Sequence, residues 1–243
     1  MPVFGFALLF AHATQRQTLD VFAAASLHEA MSAIATRFEA KNPGVDVRLS
    51  FGGSQQLAAQ INQGAPCDVF ASADERNLDK IAYDPTTKKI FALNRLVVVC
   101  PSQSPVSKFR DLANVKLILA AFQVPVGGYS HYALEKASKV FGAAWLHSVE
   151  ANTVSNEQDV REVLAKIELG EADAGIVYAS DAQSAAGKVR SVPVPSQFQP
   201  RIAYPIAVPH EAVAIGLAKS FIQAVLSPAG QSELRRRGFT SQR

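Results

Sequence analysis

The sequence predicts an α/β protein of two lobes, each built on a parallel sheet, and three observations carry that prediction. Strand-like and helix-like segments alternate from residue 19 onward, and the alternation starts afresh after Leu93. With 243 residues and 48% hydrophobic content, the chain can fill two cores of about 100–150 residues each.

The elements follow in order. An apolar strand from Val21 stops at Ser26, and Leu27, Ala30, Met31, Ile34 and Phe38 then recur at helical spacing until Asn42-Pro43-Gly44 ends the helix. Val45, Val47 and Leu49 alternate as a strand up to Phe51, after which Gly52, Gly53 and Ser54 lead into a helix marked by Leu57, Ala58 and Ile61 and closed at Gly64. A short strand, Asp68 to Ala71, completes two strand–helix pairs plus a strand, the pattern of a parallel sheet. Beyond Leu93 come apolar strands at 95–99 and 116–121, helices around Tyr132–Ala137 and Val160–Ile167, and a strand from Ala174 to Tyr178. Three prolines make Val192 to Pro200 read as a connection; a strand from Tyr204 to Val208 and two helices, the last after Pro228, follow.

Composition excludes several function classes. The net charge of +3 comes from 24 basic and 21 acidic residues spread along the chain. Its one dense basic run, Arg235 to Arg237, reads as a solvated helix face, so no nucleic-acid partner is expected. Cys67 and Cys100 form no Cys-x-x-Cys and are expected to be buried small hydrophobes rather than a disulfide or a zinc site. Residues 1–18 hold an apolar run, Phe4 to Phe10, and a small-x-small triplet, Ala11-His12-Ala13. They are expected to be a signal peptide or a disordered segment; the run is too short to span a bilayer, and Met1-Pro2-Val3 lacks the basic residue of a complete signal. No cysteine follows the run to take a lipid anchor.

Chemistry concentrates at junctions where a helix begins. Ser26 with Glu29, and Ser155 with Gln158, match the capping box; Ser54 follows two glycines, and Gly127-Gly128 follow Pro125-Val126. In an open parallel sheet the helix N-termini point into a crevice at the strands' carboxyl ends. Each offers unpaired N–H donors and about half a positive charge, so several converging can hold an anion without Lys or Arg. Arg161 is the one cation near Ser26, Ser54, Val126 and Val160. Singly, each residue also has a plain reading: Ser26 a helix cap, Ser54 part of a glycine turn, Tyr178 a rim tyrosine.

Together, the Val21–Leu27 run, Phe51 to Ser54 with Gln60-Ile61, the run from Gly64 to Asp74, Val124 to Gly127 with Tyr129, Asp159-Val160 and Gly175 to Asp181 resemble the molybdate-binding proteins of ABC importers over nearly the whole chain after residue 18. The resemblance implies a periplasmic-binding-protein fold whose two α/β lobes, 19–94 plus 204–243 and 95–203, close by a hinge near Asn94 and Ala203-Tyr204. It implies no enzyme and no cofactor. The ligand would be molybdate or tungstate, held by the hydroxyls and N–H groups of Ser26 and Ser54, the N–H groups of Val126 and Val160, and the Tyr178 hydroxyl. A monomer in the periplasm, delivering to a membrane permease with its ATPase subunit, is the implied setting. The sequence departs from the family at the rim: Ala120 to Gln123 replace a Gly-Asp-Pro-like turn in a loop one residue shorter, Val126 stands for alanine, and Cys67 for another alanine.

Three other readings stay in view. A receptor for sulfate or thiosulfate would use the same fold. A serine hydrolase would need a Gly-x-Ser-x-Gly elbow, yet Gln56 stands two residues after Ser54, and His28, His131, His147 and His210 sit in no triad context. A regulator's effector domain would need a DNA-binding segment longer than the roughly 18 residues ahead of the first strand.

Overall fold

The computed structural model describes residues 16–241. The expected leader lies outside the described residues except for Arg16, Gln17 and Thr18, and the last two already belong to strand β1 (Gln17–Ala24).

Two five-stranded sheets carry the same wiring. The first has the order β2-β1-β3-β10-β4, formed by β1, β2 (Val45–Gly52), β3 (Val69–Ala71), β4 (Lys89–Asn94) and β10 (Ile202–Ala207). The second, β7-β6-β8-β5-β9, contains β5 (Leu96–Cys100), β6 (Leu117–Ala120), β7 (Thr153–Glu157), β8 (Ala174–Tyr178) and β9 (Arg190–Pro193). In each, three neighbouring strands run parallel, and the fourth, β10 or β5, runs antiparallel to both of its neighbours. The sheets are therefore mixed, not the purely parallel ones the sequence suggested, because each takes in a strand that enters as the chain crosses over from the other sheet.

Inner strands are largely apolar because helices cover both faces. All residues of β5, β8 and β10 are buried, whereas the edge strand β2 is mostly half-buried. Around the first sheet lie α1 (His28–Lys41), α2 (Ser54–Asn62), α3 (Glu75–Leu78), α8 (Ile215–Leu226) and α9 (Pro228–Arg236). α1 buries Ala30, Met31, Ile34, Ala35 and Phe38, one apolar stripe at i, i+3/i+4 spacing. Phe38 meets Phe221 of α8 edge-on at 5.4 Å. Around the second sheet lie α4 (Pro125–Phe141), α5 (Ala143–Ala151), α6 (Val160–Glu168) and α7 (Ala179–Ser184).

The chain passes between the sheets twice, through Arg95 and through residues 194–201. Gln199 clamps these crossings: its side chain accepts from Leu96 N at 2.9 Å and donates to Leu96 O at 2.7 Å. The supposed connection Val192–Pro200 thus contains part of β9 and a 3-10 turn, Ser196–Phe198. Proline is tolerated there because β9 is an edge strand, and buried Phe198 packs on Phe109 and Phe141. Ser155 is no helix cap either: it sits within β7 and bonds to Glu157, while Asp159 caps α6. Cys67 and Cys100 are buried and unpaired with each other, and burial pushes the Cys67 thiol up to about 12. Among the described residues no helix is long and apolar enough to cross a membrane.

Candidate functional site

The carboxyl ends of strands from both sheets meet at one small cavity. Ala24 and Gly52 bring the ends of β1 and β2, Ala73 the chain just beyond β3, and Tyr178 the end of β8; Ser54, Val126 and Val160 bring the first turns of α2, α4 and α6. All five residues singled out in the sequence, Ser26, Ser54, Val126, Val160 and Tyr178, line it. None of its lining residues is Lys, Arg or His.

The lining presents donors. Ser54 is the first residue of α2, and its hydroxyl oxygen accepts from Ala73 N at 3.0 Å, which leaves its proton to point elsewhere. Val126 follows Pro125 at the start of α4 and Val160 opens α6, so their N–H groups fall among those a helix cannot pair internally. Both valine side chains are buried in the core, so what they can offer the cavity is backbone. Tyr178 is almost wholly buried, and its hydroxyl has no hydrogen-bond partner among the described residues. Burial holds that phenol well above its ordinary pKa, so it remains a donor. Asp159 also lines the cavity, but its carboxylate accepts from Arg161 N and Glu162 N at 2.7 and 3.1 Å and so faces its own helix.

Ser26 departs from the sequence reading. It lies in a 3-10 turn, Ala25–Leu27, between β1 and α1, and makes no capping hydrogen bond; its hydroxyl meets the Tyr204 hydroxyl at 3.0 Å. Glu29, the expected other half of the box, pairs instead with Arg161 of α6. A tight turn placed before the helix aims the serine sideways, out of reach of the helix's own N–H groups.

Three contacts join the halves around the cavity. Arg161 reaches Glu29 on one side and buried Asp181 at 3.1 Å on the other. Burial raises the Glu29 carboxyl, but the hydrogen bond and charge of Arg161 outweigh it and hold the group below its usual value. Deeper burial wins at Asp181, pushing its carboxyl up to about 7 against the pull of Arg161. Gln55 donates to Gln158 O at 2.7 Å, and Arg76 to Gln123 O at 3.2 Å with its guanidinium over the Phe122 ring. Two glycines permit close approaches, Gly53 between the halves and Gly127 within the second. A Cβ on Gly53 would stand 2.6 Å from Gln158 O, and one on Gly127 would stand 2.0 Å from Ala121 O. The sequence flagged Gly53 and Gly127 as turn residues; Glu29, Arg161 and Tyr204 carried no local signal of their contacts, which are all long-range.

Residues 19–240 match the family model described as bacterial extracellular solute-binding protein. The chain belongs to this family. Among curated relatives, the molybdate-binding protein ModA of Mycobacterium tuberculosis (strain ATCC 25618 / H37Rv) is 38% identical over 233 residues, covering 92% of this chain and 84% of the relative. Two solved structures share the fold: the periplasmic molybdate-binding protein of Azotobacter vinelandii superposes with a TM-score of 0.80 at 22% identity, covering 93% and 100% of the two chains. The sulfate-binding protein SubI of M. tuberculosis H37Rv also reaches 0.80, at 20% identity over 93% and 87%. The chain is thus a solute-binding protein of two α/β lobes with the ligand cleft between them, and not an enzyme. The site gives the hydrolase reading no support either, since no histidine lines the cavity.

Proposed function

We propose that the protein captures molybdate, or its near-isosteric analogue tungstate, outside the cytoplasmic membrane and delivers it to an ABC permease. The observation that carries this reading is the cavity itself: five neutral donor positions from two lobes converge on a space sized for a small ion, with no cation in its lining. A fully ionised tetrahedral oxyanion offers only acceptors, so each donor gains a charge-assisted hydrogen bond worth about 1.5–3 kcal/mol. Ser26 and Ser54 would act through hydroxyl and N–H, Val126 and Val160 through N–H, and Tyr178 through its hydroxyl. In this reading residues 19–94 with 204–243 form one closing body and 95–203 the other, hinged at the crossings near Asn94 and Ala203-Tyr204. The protein works as a periplasmic monomer, and the permease with its ATPase subunit receives the ion.

Sulfate is the second reading, favoured by the equal superposition on a sulfate-binding protein. Sequence favours molybdate, since a molybdate-binding relative is 38% identical over 92% of this chain. Calorimetric titration with molybdate, tungstate, sulfate and phosphate tests the choice. Tight binding of the first two is expected; tight sulfate binding with no molybdate response overturns the proposal.

A further inference from the structure

The geometry points to Tyr204 as a positioning residue that fixes the Ser26 hydroxyl as a donor toward the cavity, an inference that rests on the oxyanion reading of the site. Tyr204 does not line the cavity. It lies behind Ser26, fully buried on β10, with its hydroxyl 3.0 Å from Ser26 Oγ. Either oxygen could donate in that pair, and the surroundings decide which does.

Asn94 sets the direction. Its Oδ1 accepts from Arg95 N at 2.9 Å, which pins the amide so that Nδ2 faces the other way. That Nδ2, a donor only, lies 2.9 Å from Ser180 Oγ and 3.4 Å from the Tyr204 hydroxyl. The phenol oxygen therefore accepts from Asn94, and its own proton goes to the remaining partner, Ser26 Oγ. Burial keeps the phenol protonated, and edge-on rings at 5.3 Å (Phe239), 5.7 Å (Tyr178) and 6.3 Å (Phe91) hold it in place. With its oxygen accepting, Ser26 has its proton left for the cavity.

Ser54 reaches the same state by a shorter route, since a backbone N–H, that of Ala73, occupies its oxygen. Both serines are thereby preset as donors. A site so arranged favours an ion without protons over one that must also donate, such as hydrogen phosphate, because both serine protons are directed at the ion and one lone pair of each serine oxygen is already taken, which leaves the Tyr178 hydroxyl as the one lining hydroxyl with no partner among the described residues. Tyr204 thus contributes to selectivity without touching the ion.

A double-mutant cycle read by calorimetry tests this in the full chain, with molybdate as probe and hydrogen phosphate as competitor. Tyr204→Phe keeps the ring and removes the hydroxyl. Molybdate affinity should fall roughly 2–12-fold, the value of one hydrogen bond, and the preference for molybdate over hydrogen phosphate should narrow. In the Ser26→Ala background the same substitution should change affinity by less than about twofold, since its effect runs through Ser26. Equal losses in both backgrounds would mean a general packing role and overturn the inference. Asn94→Ala supplies a second variant, expected to give a smaller loss that also disappears with Ser26→Ala. If the wild type answers sulfate and not molybdate, the molybdate reading falls, and the same cycle run on sulfate still decides the role of Tyr204.

Discussion

The two lobes share a strand order but arm the cleft with different chemistry. The first contributes serine side chains, Ser26 and Ser54, each with its oxygen already engaged inside the protein. From the second come the opening turns of α4 and α6, whose buried valine side chains face away from the task, and one hydroxyl, Tyr178, that has no partner among the described residues. Hydroxyl donors depend on residue identity and on what sits behind them. Backbone donors depend on the position of a helix start, which many sequences can supply. The first lobe should therefore be brittle to substitution at its donors and the second tolerant, except at its tyrosine.

The harshest test of that contrast is Ser54→Ala. Under the proposed function it removes a charge-assisted donor, and it leaves Ala73 N–H without its acceptor, so a loss of about 1.5–3 kcal/mol in molybdate binding, roughly 10–150-fold, is expected. Calorimetry should place Ser26→Ala at a loss of tenfold or more, about 1.4 kcal/mol. Unchanged affinity in both would dissolve the distinction between the lobes. Tyr178→Phe comes next. It takes away the second lobe's one side-chain donor while leaving no polar group unsatisfied, so about a tenfold loss with unchanged or higher thermal stability is expected. A drop in stability instead would mean that the hydroxyl serves the fold rather than the ligand.

How much of this was legible in the sequence follows the same division. Serines after strand ends and glycine pairs before helices are local signals, and the alternation of apolar runs marked the inner strands of both sheets and most helices, but not the edge strands β4, β7 and β9. The polar edge strand β7, Thr153 to Glu157, lacks an apolar face and left no period to read. Long-range pairs left none either. Glu29 sits at capping-box spacing from Ser26, yet its partner is Arg161, 132 residues away. Tyr204 was legible only as the start of a strand at a crossing, because its bond to Ser26 spans 178 residues. Local motifs mark which groups can donate, and tertiary contacts decide which way their protons point.

A weaker effect is expected where the lobes touch without the ion. Glu29→Gln removes the charge that α1 offers to Arg161 across the cleft, but Arg161 keeps Asp181, and Arg161 and Glu29 are each about 30% exposed. Pairs of this kind contribute about 0.2–1 kcal/mol, so affinity should fall roughly two- to fivefold at most. Raising ionic strength should shrink the gap between variant and wild type. A loss approaching that of Ser54→Ala would show that closure is held by charge rather than by the bound ion, and would move the brittleness from the donors to the rim.

The smallest change in binding should come from Val126, one of the positions at which the sequence was read as departing from the proteins it resembles. Val126 supplies backbone to the cavity and side chain to the core, where it is 1% exposed. Val126→Ala deletes two buried methyl groups, about 1–2 kcal/mol of stability at roughly 0.8 per carbon, without altering the N–H that follows Pro125. Thermal unfolding should therefore register the substitution while titration leaves molybdate affinity within about twofold. The opposite pattern, weakened binding at unchanged stability, would mean that the valine itself shapes the cavity wall and that the second lobe also reads the ion through side chains.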